Sequence, residues 1–161
     1  MTTTTLELSL PVVLSMFSDL LGKRVSGQET AEADLADETS FVRGVFFGEN
    51  QEVGAVYFMP IGLAAATGAA LVMMPAGLVK ECVQERTLLP MLVDNSYEVF
   101  NVASRLINRA GGVHYKLREQ VLPGQPLPAD ALEVVGAATQ RVDLELTVDG
   151  YGSGVLTILV K

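Results

Sequence analysis

The sequence contains one cysteine and one histidine, and it has no extended run of basic residues. A single cysteine, Cys82, cannot form an intramolecular disulfide, which is typical of proteins from a reducing compartment. The formal net charge of -8, without a cluster of Lys and Arg, argues against a nucleic-acid backbone as partner. It is compatible with a basic partner, or with a partner that brings a metal ion.

The usual catalytic signatures are also missing. No spacing of His, Cys, Asp and Glu is typical of a metal site, and the glycines at 62 and 68 are not followed by the lysine of a phosphate-binding loop. His114 has no recognisable catalytic partners, so a structural role is favoured over acid–base chemistry. Cys82 is interpreted as a buried apolar residue rather than a nucleophile.

Membrane-directing segments are scarce. The stretch MTTTTLELSL has no basic region followed by an apolar run, so no signal peptide is predicted. Val53 to Val79 lacks charged residues and is long enough to span a bilayer, but Pro60 and Pro75 interrupt it. We expect a buried strand and helix in a cytoplasmic protein, with a membrane-associated protein as the distant alternative.

The 161 residues, 49 % of them apolar, are sufficient for one domain with its own core, over residues 1–161. Apolar residues at helical spacing predict a helix at Leu10–Leu21, with Pro11 in its first turn and Gly22 at its end. Periodicity and turn residues predict the following further elements: strands 41–47 and 53–59 joined by the loop GENQE, helices 61–74 and 76–84, a strand 113–122, a turn-rich crossing 123–130, and a hairpin of 142–148 with 155–160.

Gly27 to Ser40 carries several carboxylates and no base. We interpret it as a solvated connection or a ragged strand, although the acidic 28–38 segment is also compatible with an interaction tail. Two pairs of segments resemble one another: 17–25 with 103–113, and 53–59 with 153–160. The succession of elements therefore predicts an α+β fold of two related halves, in which long helices pack on an antiparallel or mixed sheet.

A polar stripe runs along the helix predicted over residues 94–108. At 100° per residue, its members fall within about 40° of one line; they are Asp94, Glu98, Asn101, Arg105 and Asn108. The simplest interpretation is the solvated face of a helix that Gly111 and Gly112 end.

Glu98 has a competing capping role, because Asp94 or Asn95 could be the N-cap and Asn95 with Glu98 has the spacing of a capping box. Asn101 favours a functional face, since asparagine is a poor interior helix former.

The pattern Asp94-x-x-x-Glu98-x-x-Asn101, on a helix that follows an alanine-rich helix, resembles the motif of the CheC/CheX/FliY phosphatases of bacterial chemotaxis. The family motif is completed by a proline, and Pro123 lies one residue before the expected place. The resemblance covers roughly residues 41 to 160. In the first helix the counterparts of Glu98 and Asn101 are Val12 and Ser15, so the chain carries one site and is more similar to CheX than to CheC.

The resemblance implies an aspartyl-phosphate phosphatase whose substrate is a phosphorylated CheY-type response regulator. Asn101 would orient the attacking water, and Glu98 would pair with a lysine of the regulator. Asp94 would help docking at the rim. Arg105 as a further docking residue is our own hypothesis and not a family assignment.

The resemblance also implies that the regulator supplies Mg²⁺, and that the chain dimerises through its sheet edges. The alternative function is a non-catalytic module of the same fold that binds a regulator or self-associates. That alternative is motivated by the missing pair in the first helix, the shifted Pro123 and the acidic 28–38 segment.

Overall fold

The computed structural model describes residues 8–108 and 112–161, so the N-terminal stretch and Gly111 lie outside the described residues. The α-helices are α1 (Leu10–Leu21), α2 (Ile61–Leu71), α3 (Gly77–Glu85), α4 (Pro90–Ala103) and α5 (Ala129–Ala137). The strands are β1 (Val25–Glu29), β2 (Phe41–Phe47), β3 (Val53–Pro60), β4 (Lys116–Val121), β5 (Gln140–Val148) and β6 (Gly152–Val160). Short 3-10 turns occupy Glu38–Ser40, Glu49–Gln51 and Ser104–Leu106.

All six strands form one antiparallel sheet with the order β1-β5-β6-β3-β2-β4. If β1 is exchanged with β4, β2 with β5 and β3 with β6, the same strand order results, read from the opposite edge of the sheet. The central pair of that exchange, β3 and β6, joins Ala55 to Val160 and Phe58 to Thr157. The sheet therefore has the topology of two related halves, and the predicted α+β class is confirmed.

Helices cover both faces of the sheet. The larger core joins one face to residues of α1, α2, α3 and α4. A smaller core on the other face is closed by Ala131 and Val134 of α5, together with Leu35. Because β3 is covered on both faces, it is apolar along its whole length rather than alternating.

The small residues of α2 explain how three other helices approach it closely. From Leu63 to Ala70 every residue of α2 is buried. A Cβ added at Gly68 would lie 3.5 Å from both the Asn95 Cβ and the Ser96 backbone nitrogen of α4. The uncharged stretch is thus core from Val53 to Ala70, whereas Val72 and Met73 after it are exposed. No helix within 8–108 and 112–161 has the length and apolar character needed to cross a membrane.

Several predicted boundaries are confirmed. Helix α1 has the predicted bounds, and Gly22 adopts the left-handed conformation with its N–H donating to the Ser18 carbonyl. Strands β2 and β3 enclose GENQE as a hairpin, and the C-terminal hairpin is present. The acidic segment starts within β1, continues as an irregular connection and ends in a 3-10 turn, in agreement with the favoured interpretation.

Other boundaries are wrong. Helix α2 ends at Leu71 instead of residue 74. Strand β4 begins only at Lys116, so His114 precedes the strand and is exposed. Helix α5 was not predicted, because the turn residues of 123–130 obscured its start. Pro128 immediately before it and Asp130 in its first turn were the available signals.

Candidate functional site

Helix α4 begins one full turn earlier than its polar stripe suggests. Leu89 precedes its first residue, and Pro90 occupies the first turn, where a missing N–H costs nothing. Asp94, Asn95 and Glu98 therefore all lie within the helix. The hypotheses that Asp94 or Asn95 is the N-cap and that Glu98 completes a capping box are wrong, because the helix end they would cap is elsewhere.

The buried side of α4 determines which residues face outward. Its buried residues are Leu92, Ser96, Val99, Phe100 and Ala103. With that side packed against α2 and the sheet, Asp94, Glu98 and Asn101 are exposed. Because residues three and four apart lie on one face of a helix, the three side chains form a continuous exposed row.

Three side-chain hydrogen bonds hold α4 in its orientation. Gln120 of β4 donates its amide to the Val93 carbonyl at 3.1 Å. Asn95 donates to the Gly68 carbonyl of α2 at 3.1 Å. The buried Tyr57 hydroxyl of β3 donates to the Ala103 carbonyl at 2.8 Å. The helix is thus attached to β4, α2 and β3 at its start, middle and end, which gives its outer face a defined direction.

Asn101 lies where the α-helix changes to a tighter turn. Residues Ser104–Leu106 are 3-10, and the Ser104 hydroxyl donates to the Asn101 carbonyl at 2.7 Å. That bond uses the backbone of Asn101 and leaves its side-chain amide available. In residues 8–108 and 112–161, no hydrogen bond or ion pair occupies the side chains of Glu98 or Asn101.

The end of the predicted stripe departs from helical geometry. Arg105 is exposed but belongs to the 3-10 turn, so its direction no longer follows from 100° per residue. Asn108 leaves the stripe altogether, because its amide bonds both the carbonyl and the N–H of Tyr115. The structure therefore brings together Asp94, Glu98 and Asn101, keeps Arg105 in the next turn, and gives Asn108 a structural role.

Helix α1 offers a second exposed face without the polar pair. Val12 is 53 % exposed and Ser15 is exposed, at the same spacing as Glu98 and Asn101. Neither side chain carries a carboxylate or an amide. The acceptor and amide pair is therefore present on α4 and lacking on α1.

Pro123 lies in the turn that follows β4. Buried Arg43 of β2 holds this turn by donating to the carbonyls of Leu122 at 2.8 Å and Gln125 at 2.7 Å. Burial lowers the pKa of Arg43 below its ordinary value. Arg43 was not singled out from the sequence, since a charged residue in a short apolar strand gives no local signal of burial.

The surroundings of Cys82 and of the acidic side chains do not favour a nucleophile or a metal site. Cys82 is fully buried, as expected, and burial raises the pKa of its thiol, so it is a poor nucleophile. Within the described residues, no group of three or more His, Cys, Asp and Glu side chains is arranged to hold a metal ion.

Exposed apolar residues flank the polar row, and these were not predicted as functional. Met91 is 55 % exposed and lies one turn before Asn95 on α4. Met73 is 77 % exposed in the turn after α2, and Tyr97 is 41 % exposed beside Glu98. Pro90 was the sequence signal that could have placed Met91 on α4, because a proline marks the start of a helix and thus an additional helical turn before Asp94.

The sequence matches no protein-family model, and no curated protein matches it. Solved structures do match. A FliM–SpeE complex from H. pylori aligns at a TM-score of 0.64 and 11 % identity, over 92 % of this chain and 79 % of that one. The CheX–CheY–BeF3–Mg²⁺ complex from Borrelia burgdorferi aligns at 0.58 and 11 % identity, over 99 % of each chain.

FliY from Thermotoga maritima aligns at a TM-score of 0.56 and 12 % identity, over 92 % of this chain and 81 % of that one. At such identities the comparisons show the fold and not the activity. They confirm the resemblance stated from the sequence, and the chain has the fold of the CheC/CheX/FliY family, which also occurs in FliM.

Proposed function

We propose that the protein is a CheX-like phosphatase that hydrolyses the aspartyl phosphate of a CheY-type response regulator. The observation that carries this proposal is the pair Glu98 and Asn101, three residues apart on the exposed face of a helix anchored at its start, middle and end. A protruding helical face of this kind fits a partner whose reacting group is recessed, because one turn presents both side chains together.

The chemistry requires positioning more than proton transfer. An amide both donates and accepts hydrogen bonds, so Asn101 can hold a water in line with the phosphorus. The water oxygen bonds to phosphorus as the bond to the aspartyl oxygen breaks, which releases inorganic phosphate and the aspartate carboxylate. Glu98, an acceptor when ionised, pairs with the lysine of the regulator, and Asp94 adds negative charge at the rim.

In this proposal the regulator supplies Mg²⁺. The cation would neutralise charge on the transferring phosphoryl group, while this chain contributes the water-positioning amide and the docking carboxylates. Arg105, in the turn after Asn101, is retained as a proposed docking residue.

The test is phosphate release from CheY-type regulators of the source organism, acyl-phosphorylated in the presence of Mg²⁺. We expect Asn101→Ala to slow release on the order of 100-fold, because the water loses its position. We expect Glu98→Ala mainly to weaken docking. Gln84→Ala, another exposed helical amide on α3, is the matched control. Hydrolysis by Asn101→Ala at the wild-type rate contradicts the mechanism.

The second candidate is a binding module with little hydrolysis. It is favoured by the absence of the polar pair on α1 and by the structures of FliM with SpeE and with FliG, in which a related fold is part of a protein complex. Retained binding of a regulator by the wild-type protein, with no acceleration of dephosphorylation, would select this alternative.

A further inference from the structure

The turn after α2 presents a methionine where a glycine is usual. Met73 has a φ of 58°, in the left-handed region, and its N–H donates to the Ala70 carbonyl as the helix ends. Glycine is the common residue at such a position because a side chain is strained there. This chain follows that rule at the end of α1, where Gly22 has a φ of 61°.

A second non-glycine residue is left-handed after an α-helix, and its side chain has hydrogen-bonding and ionic partners. Arg86, with a φ of 53° after α3, donates to the Thr39 hydroxyl and pairs with Asp37. Met73 differs, since within the described residues it belongs to neither hydrophobic core and its side chain is 77 % exposed. Strain retained at an exposed apolar side chain points to a contact made outside the chain.

The turn that carries Met73 is attached on two sides. The Tyr151 hydroxyl, at the β5–β6 turn, donates to the Met74 carbonyl at 2.9 Å. The Asn95 amide of α4 lies 3.5 Å from the Met74 sulfur. Met73 is thus presented by a fixed turn, and that turn lies beside the helix that carries Glu98 and Asn101.

Met73 belongs to a larger apolar patch, which we define as Val72, Met73 and Met91. Val72 is 54 % exposed in the same turn, and Met91 is 55 % exposed one helical turn before Asn95. Asn95 contacts the turn at Met74 and lies on α4 between Met91 and Glu98. The apolar patch therefore adjoins the start of the polar row.

We propose that the apolar patch is a docking surface for the same regulator, and that it packs against an uncharged, apolar surface beside the regulator's phosphorylation site. The inference rests on the proposed function for the identity of the partner. Charge complementarity favours this occupant. The exposed carboxylates of Asp94 and Glu98 suit a cationic centre, which a bound Mg²⁺ and a lysine supply, while Val72 and Met73 lie in a stretch without charged residues from Val53 to Val79.

The side chains of the patch suit this task. Methionine is flexible and polarisable, so it adapts to apolar surfaces of different shape. Apolar contacts add affinity that does not depend on the phosphoryl group, whereas Glu98 and Asn101 would contact the regulator at its reacting centre. The patch thereby separates binding of the regulator from hydrolysis of its phosphate.

The experiment measures binding of the source organism's CheY-type receiver domains, loaded with BeF3 and Mg²⁺, by titration calorimetry. Met73→Gly is the decisive variant, because it removes the side chain while relieving the left-handed strain. We expect its melting temperature to be no lower than that of the wild type and its affinity to fall about tenfold, the scale of one apolar anchor. Met91→Ser is expected to weaken binding in the same direction.

Leu132→Ser is the matched control, since Leu132 is 55 % exposed on α5, across the sheet from α4. Wild-type affinity in Met73→Gly, or an equal loss in Leu132→Ser, overturns the inference, and so does failure of every receiver domain to bind. Weaker binding by Met73→Gly without any hydrolysis by the wild-type protein supports the inference while contradicting the proposed catalytic function.

Discussion

Asn101 depends on residues that are remote from it in sequence. Tyr57 and Ser104 hold the carbonyls of Ala103 and Asn101 at the point where α4 tightens into a 3-10 turn. The Tyr57 ring is fully buried beside Phe46, with ring centroids 4.4 Å apart, and burial raises the pKa of Tyr57 well above its ordinary value. Its hydroxyl is therefore a neutral donor at physiological pH.

Removal of that hydroxyl tests the anchor. Tyr57→Phe leaves a buried carbonyl without its donor, so we expect the free energy of unfolding to fall by about 1–2 kcal/mol. Urea unfolding measures the change as a lower midpoint at constant slope. Tyr97→Phe is the control, because Tyr97 is exposed and its ring faces solvent in part. Equal midpoints for the two variants would show that the Ala103 bond contributes nothing.

At the scale of elements, a charged cluster attaches the acidic segment to the sheet. Asp143 of β5 accepts from the Arg141 Nε at 2.9 Å, the Thr157 hydroxyl at 2.7 Å and the Ala33 N–H at 3.1 Å. Arg141 also donates to the Ala33 carbonyl at 2.7 Å. The connection between β1 and β2 thereby lies over the sheet, as α5 does between β4 and β5.

Burial by itself raises the pKa of Asp143, but hydrogen bonds from Arg141, the Ala33 N–H and Thr157 outweigh it and leave the pKa below its ordinary value. A carboxyl whose pKa is lower in the folded chain stabilises the fold above the pKa of the unfolded chain. This contribution is lost as the pH falls through the folded value.

Asp143→Asn is expected to lower the free energy of unfolding at pH 7 by roughly 3 kcal/mol, because Arg141 loses its buried partner. It should also flatten the decline of stability at acid pH. In the wild type that decline begins near the ordinary pKa of an unfolded aspartate, about 4, and continues down through the lowered pKa of Asp143. Denaturant unfolding at several pH values measures both effects. Asp149→Asn, in the exposed hairpin turn, should cost little at pH 7; an equal cost in both variants is the contrary result.

At the scale of the whole molecule, the two edges of the sheet differ in charge. Edge strand β4 carries Lys116, Arg118 and Glu119, and charges of this kind discourage strand pairing. Edge strand β1 has the sequence VSGQE, with its charge only at the end. If the chain dimerises through its sheet, as the resemblance implies, β1 is the edge that offers less repulsion.

A lysine at the β1 edge tests this expectation. Gln28→Lys places charge on an exposed residue of β1 and should convert a dimer into a monomer, as measured by sedimentation velocity. Ser153→Lys makes the same change in net charge on β6, which is not an edge strand, and should leave the dimer intact. A wild-type monomer, or a dimer unaffected by Gln28→Lys, contradicts dimerisation through β1.

Local sequence patterns were enough to predict those helices and strands whose signals lie within the element itself. Alternation predicts the β5–β6 hairpin, and helical spacing with Pro11 and Gly22 predicts α1 to the residue. The resemblance of residues 53–59 to 153–160 indicated two halves, because each segment needs the same buried surroundings at the centre of the sheet. The sequence also placed Asp94, Glu98 and Asn101 on one helical face, since that geometry follows from the period of the helix alone.

Tertiary structure decided what depends on partners far along the chain. The true start of α4 at Pro90 removed the capping role of Glu98, and the bonds of Asn108 to Tyr115 removed it from the polar stripe. Which side of α4 is exposed follows from its packing on α2 and β4. The turn that carries left-handed Met73 is held through the neighbouring Met74, which Asn95 and Tyr151 contact. Periodicity within a segment says which residues share a face, but long-range contacts decide where the element ends and what that face meets.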